Sequence, residues 1–322
     1  MVKKILFFTL SNFGDVVLSL PALDVLREKY PAAEITVMVG PRPAEIFKNN
    51  PYIHRLIIYD KYAALRKKAK LFFEFMKQRF DVVIDLRNTL YGALLPVRLK
   101  TSPFLYMPGR IRHAKEEKLY KLKKALREKD DLAPATEKSL YISREDDAYI
   151  TSLLNKHGIT EGAKFIILSP ATGGRTRQWN KDKFLKLCSK LALDYPVILI
   201  GRKQDKELTE YIRSNSGGSI FDFAGLTNLA QLASLIKRSS LVVVCDTGIL
   251  QLASYLDIPI IALFGPSDEN RYGPWSSRFK IVTAQISCRP CRRPDCRFNS
   301  VECMDKISVN QVSDFIDAFL KS

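Results

Sequence analysis

The chain has 322 residues, 46% of them hydrophobic, and a formal net charge of +17. That length exceeds a usual single core and predicts two domains, while no apolar run is long enough to span a bilayer. The charge is concentrated: segments 61–79 and 100–130 each carry a net +6, so the first half presents a basic face suited to nucleic acid, an anionic membrane surface or a phosphorylated acceptor.

Lys3-Lys4 ahead of the apolar residues 5–10 resembles a signal peptide, but Ser11-Asn12-Phe13-Gly14-Asp15 interrupts the run. We read it as a first strand of a cytoplasmic protein. Further strands are predicted at 34–39, 55–59, 81–86, 104–107 and 139–142. Helices are predicted at 16–29, at 61–79 with an apolar stripe of Tyr62, Leu65, Ala69, Phe72, Phe73 and Met76, and at 115–129. The last is short of apolar positions and reads as a mobile, surface-lying element.

A polar helix over 144–156, closed by His157-Gly158, reads as the link to a second alternating array. Its strands are predicted at 165–168, 197–200, 219–223, 241–244, 258–264 and 279–283, its helices at 181–193, 203–214, 228–237 and 249–256. Ser308 and Gln311 have capping-box spacing and open a final helix. Two successive βα arrays predict an α/β protein of two doubly wound Rossmann-like domains facing a cleft. The expected boundaries are 1–155, 156–306 and a C-terminal helix, 307–322, packing back on the first domain.

The turns carry the chemistry. Ser11 to Asp15 leaves the first strand with a single glycine, unlike the dinucleotide fingerprint. Asp15 there is either a helix cap or a carboxylate placed to take a proton from a bound hydroxyl. The stretch Ser169-Pro170-Ala171-Thr172-Gly173-Gly174-Arg175-Thr176-Arg177-Gln178-Trp179 combines glycine, hydroxyl and cation, as a diphosphate cradle would. Gly201 to Asp205, with Lys203, occupies the position from which a nucleotide's ribose or base is contacted. Asp246-Thr247-Gly248 stands between a buried strand and a helix, where amide groups favour phosphate, or where the two side chains simply cap the helix.

Six cysteines divide unevenly. Cys188 and Cys245 sit where small buried hydrophobes are ordinary, and Cys288, Cys291, Cys296 and Cys303 share one loop. Structural zinc, free thiols and disulfides are all open readings of that loop.

Gly14-Asp15 with Leu20-Pro21-Ala22-Leu23, then Arg177-Gln178-Trp179, Gly225-Leu226-Thr227-Asn228-Leu229, Asp246-Thr247-Gly248 and Leu263-Phe264-Gly265-Pro266 resemble, in order, the heptosyltransferases of glycosyltransferase family 9. The resemblance implies a GT-B fold with the acceptor on the first domain and the nucleotide sugar on the second. It further implies inverting, metal-independent transfer of heptose from ADP-heptose to the lipopolysaccharide inner core. No cofactor is required for that chemistry. Carried over, Asp15 resembles the general base and Arg177 the cation that neutralises the leaving diphosphate. Thr172, Gly173, Lys203, Thr227, Asp246, Thr247, Gly248 and Gln251 are the expected donor contacts, and Asn12, Gly14, Arg110 and Arg112 the acceptor side. The implied partners are the nucleotide sugar and an anionic glycolipid of the lipid A-Kdo type, reached at the cytoplasmic face of the inner membrane, with no nucleic acid.

Two residues depart from the family pattern. Gln251 stands where histidine is common, and Asn180 where proline usually follows tryptophan. Glutamine carries neither proton nor charge, which keeps open the same mechanism with another nucleotide sugar or acceptor glycan. A basic nucleic-acid-binding protein rests on the net charge alone, with no recognition helix or finger beside it.

Overall fold

A computed structural model of the protein describes residues 2–298 and 300–321. The chain divides into two compact units, 1–141 and 142–322.

The first unit is built on β1 (Lys4–Phe8), β2 (Glu34–Val39), β3 (Arg55–Ile58), β4 (Val82–Asp85) and β5 (Leu99–Lys100), all parallel in the order β3-β2-β1-β4-β5. β1, β2 and β4 are buried almost throughout, as expected of unbroken apolar runs covered on both faces. The helix expected over 16–29 is two helices, α1 (Phe13–Val17) and α2 (Leu20–Lys29). Pro21 lacks an N–H and sits in the first turn of α2, while the buried Ser19 hydroxyl donates to the Val16 carbonyl at 2.6 Å.

Two predicted strands are absent. Residues 104–107 lie in a loop with Phe104 93% exposed, and β5 forms earlier. Around 139–142 the backbone is satisfied by side chains instead: Asp24 accepts from the Ser139 amide and Asn50 donates to its carbonyl, both at 2.7 Å. The helix read as surface-lying is α5 (Ala114–Leu126), and it packs on α2 and β4. It buries Leu122, Ala125 and Leu126 together with Lys118 and Lys121, whose aliphatic stems supply the apolar contact that the residue letters hide.

α3 (Leu65–Gln78) corrects its predicted stripe more sharply. Phe75 is buried and Leu71 and Phe72 pack beside it on Phe8 and Tyr91, but Tyr62, Leu65, Phe73 and Met76 are exposed. α4 (Leu90–Leu94) follows β4, with the Tyr91 hydroxyl donating to the Lys68 carbonyl of α3 at 2.9 Å.

The second unit carries β6 (Ile166–Ser169), β7 (Val197–Leu199), β8 (Ile220–Asp222), β9 (Leu241–Cys245), β10 (Ile260–Phe264) and β11 (Phe279–Thr283), parallel in the order β11-β10-β9-β6-β7-β8. Its helices are α6 (Arg144–Lys156), α7 (Lys181–Leu191), α8 (Lys206–Asn215), α9 (Leu229–Arg238), α10 (Gly248–Tyr255), α11 (Glu269–Tyr272), α12 (Glu302–Asp305) and α13 (Val309–Lys321). α6 belongs wholly to this unit: Asp147 pairs with Arg238 at 2.7 Å and accepts from Ser234 at 2.6 Å, tying α6 to α9. α13 opens at Ser308, whose hydroxyl accepts from the Gln311 amide at 3.1 Å. Its buried Val312 and Ile316 join the core formed by β6, β9, β10 and α7. It packs on α7, β10 and β11.

Candidate active site

In a doubly wound sheet ligands bind beyond the carboxyl ends of the strands, where the strand order reverses. In the second unit that point lies at β6 and β9. The loop leaving β6 holds Thr172, Gly173 and Arg177, and the turn leaving β9 is Asp246-Thr247-Gly248, so both stretches singled out in the sequence meet at one place.

Their geometry is set from below. Trp179 is fully buried, donates from Nε1 to the Ile307 carbonyl at 3.1 Å and meets Phe184 edge-on at 4.9 Å. This anchor fixes the short turn before it, where the Arg177 amide bonds the Gly174 carbonyl and the Thr172 hydroxyl donates to the same oxygen at 2.7 Å. The guanidinium lies over Gly174, where a Cβ would come within 3.4 Å of Nε and Nη2. Arg177 Nη1 donates to the Asp246 carbonyl at 3.2 Å and its Oδ2 at 3.3 Å. Asp246 is 8% exposed, whereas the Arg177 side chain keeps 37% exposure, so the guanidinium retains donors for an anion.

The alternative that Asp246 and Thr247 merely cap α10 fails on geometry. Thr247 is the N-cap residue but makes no capping bond, and its hydroxyl is buried without a partner. Buried hydroxyls are ordinarily satisfied, so this one is available to a ligand at the amide end of α10.

Ser267 was not singled out by sequence. Its hydroxyl donates to Asp246 Oδ2 at 2.5 Å, closing a Ser267–Asp246–Arg177 chain. The available signal was its place directly after Gly265-Pro266, at the carboxyl edge of β10. Arg289 in turn bonds the Gly265 carbonyl at 2.9 Å and Glu269 at 3.1 Å, and Arg292 pairs with Asp268. The cysteine loop thereby holds the turn that holds Asp246.

Gln251, one of the expected donor contacts, is engaged at both ends of its amide. It is 3% exposed, its Nε2 donates to the Tyr272 carbonyl at 2.7 Å and its Oε1 accepts from Trp275 Nε1 at 3.0 Å. The amide ties α10 to the end of α11 and to the segment that follows it. On the other side of the sheet, Lys203 is exposed in the loop after β7, and Gly225, at φ +74°, brings its turn against that loop; a Cβ there would lie 2.9 Å from the Lys203 Cα. Thr227 is half-buried in the same turn, just ahead of Asn228, which caps α9.

In the first unit the order reverses at β1 and β4. Asp15 lies inside α1, half-buried, and accepts from the exposed Asn12 Nδ2 at 3.3 Å, so it is not the helix cap. Gly14 precedes it in α1. Gly40 permits the close approach of the loop after β2, since a Cβ would meet Ser11 at 2.9 Å. Asp85, at the end of β4, was also missed: it is 3% exposed and accepts from the Thr89 amide and hydroxyl, each at 2.7 Å. Burial raises its carboxyl above the usual range despite those bonds. Arg110 and Arg112 are exposed ahead of α5.

The four late cysteines line one cavity of about 360 Å³ and are all free. Among the described residues no three His, Cys, Asp or Glu side chains stand as ligands of one ion. Burial pushes the Cys188 and Cys245 thiols up to about 12, which makes them inert core residues.

Residues 69–302 match the family description Glycosyltransferase family 9 (heptosyltransferase). The chain is 23% identical over 299 residues to the lipopolysaccharide core heptosyltransferase OpsX of Haemophilus influenzae, covering 87% of this chain and 84% of that one. The solved glycosyl transferase family 9 structure from Veillonella parvula superposes with a TM-score of 0.81 at 21% identity, covering 99% and 98% of the two chains. The Escherichia coli ADP-heptose lps heptosyltransferase II structure gives 0.75 at 21%, covering 98% of each. Two parallel sheets with flanking helices give the chain the GT-B fold of those solved structures. The chain belongs to glycosyltransferase family 9, the heptosyltransferase family.

Proposed function

We propose that the protein transfers heptose from ADP-heptose to the inner core of lipopolysaccharide, with inversion at the anomeric carbon and without a catalytic metal. The observation that carries this reading is the pairing of Arg177 with Asp246 beside the unpartnered Thr247 hydroxyl at the amide end of α10. Arg177 and the α10 amides take the charge that develops on the leaving diphosphate. The Asp246 carboxylate accepts from a sugar hydroxyl, and the turn bearing Thr227 and the loop bearing Lys203 receive the nucleoside. Asp15 takes the proton of the acceptor hydroxyl as its oxygen attacks the anomeric carbon from the face opposite the diphosphate. A cation fixed by a carboxylate does here what a divalent ion does elsewhere. The basic residues of the first unit, Arg110 and Arg112 among them, suit an anionic glycolipid acceptor, which supports a reaction at the cytoplasmic face of the inner membrane.

A second reading keeps the mechanism and changes the sugar, and Gln251 favours it, because Tyr272 and Trp275 engage both ends of its amide. Calorimetric titration with ADP, UDP and GDP, followed by ADP-heptose, separates the two. Preference for ADP is expected; preference for UDP overturns the donor assignment.

A further inference from the structure

The outer face of α3 is unlike that of an ordinary surface helix. At 100° per residue its side chains fall into three bands. Leu71, Phe72 and Phe75 face the core, with Phe75 1% exposed and edge-on to Phe8 at 5.9 Å. Next around the helix come Leu65 (81% exposed), Ala69, Phe73 (64%) and Met76 (42%), spaced i, i+4, i+8, i+11 in one exposed apolar strip about 80° wide. Beyond it the exposed Arg66, Lys70 and Lys77 form a cationic row. Tyr62, just before the helix, is 82% exposed. The sole acid of α3, Glu74, is taken up by Arg55 at 2.6 Å, so it does not neutralise that row.

A solvated helix sets its charged face against its buried stripe. Here an apolar strip intervenes, as in helices that lie in the plane of a bilayer interface with their apolar side about 5–10 Å into the headgroup region. We propose that this face of α3 docks the protein on an anionic lipid bilayer, with Leu65, Phe73 and Met76 entering the interface and Arg66, Lys70 and Lys77 on the headgroups. The inference deepens the glycolipid-acceptor reading above and rests on it. A second copy of the chain fits poorly, because each protomer carries +17 and would set one cationic row against another.

The test is co-sedimentation of the full chain with vesicles of phosphatidylglycerol and phosphatidylcholine in equal parts, and of phosphatidylcholine alone. The wild type should prefer the anionic vesicles. Arg66→Gln/Lys70→Gln/Lys77→Gln should weaken partition by about 100-fold, near fivefold for each cation. Leu65→Ser/Phe73→Ser/Met76→Ser should weaken it by about tenfold or more, and do so in high salt as well. Both variants should keep the wild-type circular dichroism and ADP affinity. Equal binding by all three proteins overturns the proposal, and so does a concentration-dependent dimer of the wild type that the variants lose. The ADP titration contains no lipid, so its failure counts against the sugar-donor reading and not against this surface.

Discussion

Arg177 is locked to Asp246 twice, by the carbonyl at 3.2 Å and by the carboxylate at 3.3 Å, and Ser267 closes on the same carboxylate oxygen at 2.5 Å. An arginine held this way loses little side-chain freedom when an anion arrives. Arg177→Met should therefore weaken ADP binding by about 10- to 100-fold, the worth of one or two charge-assisted hydrogen bonds. Ser267→Ala should weaken it less, because the arginine keeps its carbonyl partner. Calorimetric affinities of the two variants check the order; a larger loss in Ser267→Ala would contradict it.

Gln251 is placed to hold structure. Gln251→Leu leaves the Trp275 Nε1–H and the Tyr272 carbonyl without their partner, at a cost of about 1–3 kcal/mol. Thermal unfolding should show that loss, while ADP affinity of the folded protein changes by less than it does in Arg177→Met. An unchanged melting temperature with lost nucleotide binding would restore Gln251 as a direct contact.

Gly225 tests the nucleoside side. Alanine there must adopt φ +74° and place its Cβ 2.9 Å from the Lys203 Cα, which is backbone and cannot swing away. The expected cost is about 1–3 kcal/mol. Because the strain falls on the Lys203 loop, ADP binding should weaken along with stability, read by calorimetry below the unfolding temperature.

Two carboxyls, Asp147 and Asp85, should answer acid with opposite signs. In the second, hydrogen bonds from Arg238 and then Ser234 hold the Asp147 carboxyl below its unfolded value near 3.8. The unfolded chain then binds more protons as pH falls, so this stabilisation is full above that value and is lost as pH drops through the lower folded one. In the first, burial holds the Asp85 carboxyl above 3.8, and the sign reverses: its contribution is full below 3.8 and is lost as pH rises through the higher folded value. Asp147→Asn should flatten the acid limb of the unfolding profile, and Asp85→Asn should remove the decline at higher pH. Melting temperatures measured across acid pH for the wild type and both variants decide it.

The sheets were legible because their strands are continuous apolar runs bounded by turns, and β6, β9 and β10 stand within two residues of where those runs place them. The losses have physical causes. Ser139 satisfies its backbone through Asp24 and Asn50, which no local pattern announces. α5 buries lysine stems, and α3 exposes all of the stripe that periodicity assigns to a core except Phe72. At the site, the Asp246-Thr247-Gly248 and Arg177-Gln178-Trp179 motifs were readable and do come together. Ser267 was not, since its role depends on β10 lying beside β9. The internal partners of Gln251 were not legible either, because sequence spacing gives a helical residue's angle but not the Trp275 that bonds its amide.

The central claim is that Asp15 removes the acceptor proton while the second unit holds the donor. Steady-state transfer from ADP-heptose by Asp15→Ala, measured beside its ADP-heptose dissociation constant, tests it most directly. The account predicts turnover reduced by about 100-fold or more with donor affinity within about twofold of the wild type, because none of the residues that bind the donor has changed. Wild-type turnover in that variant would contradict it.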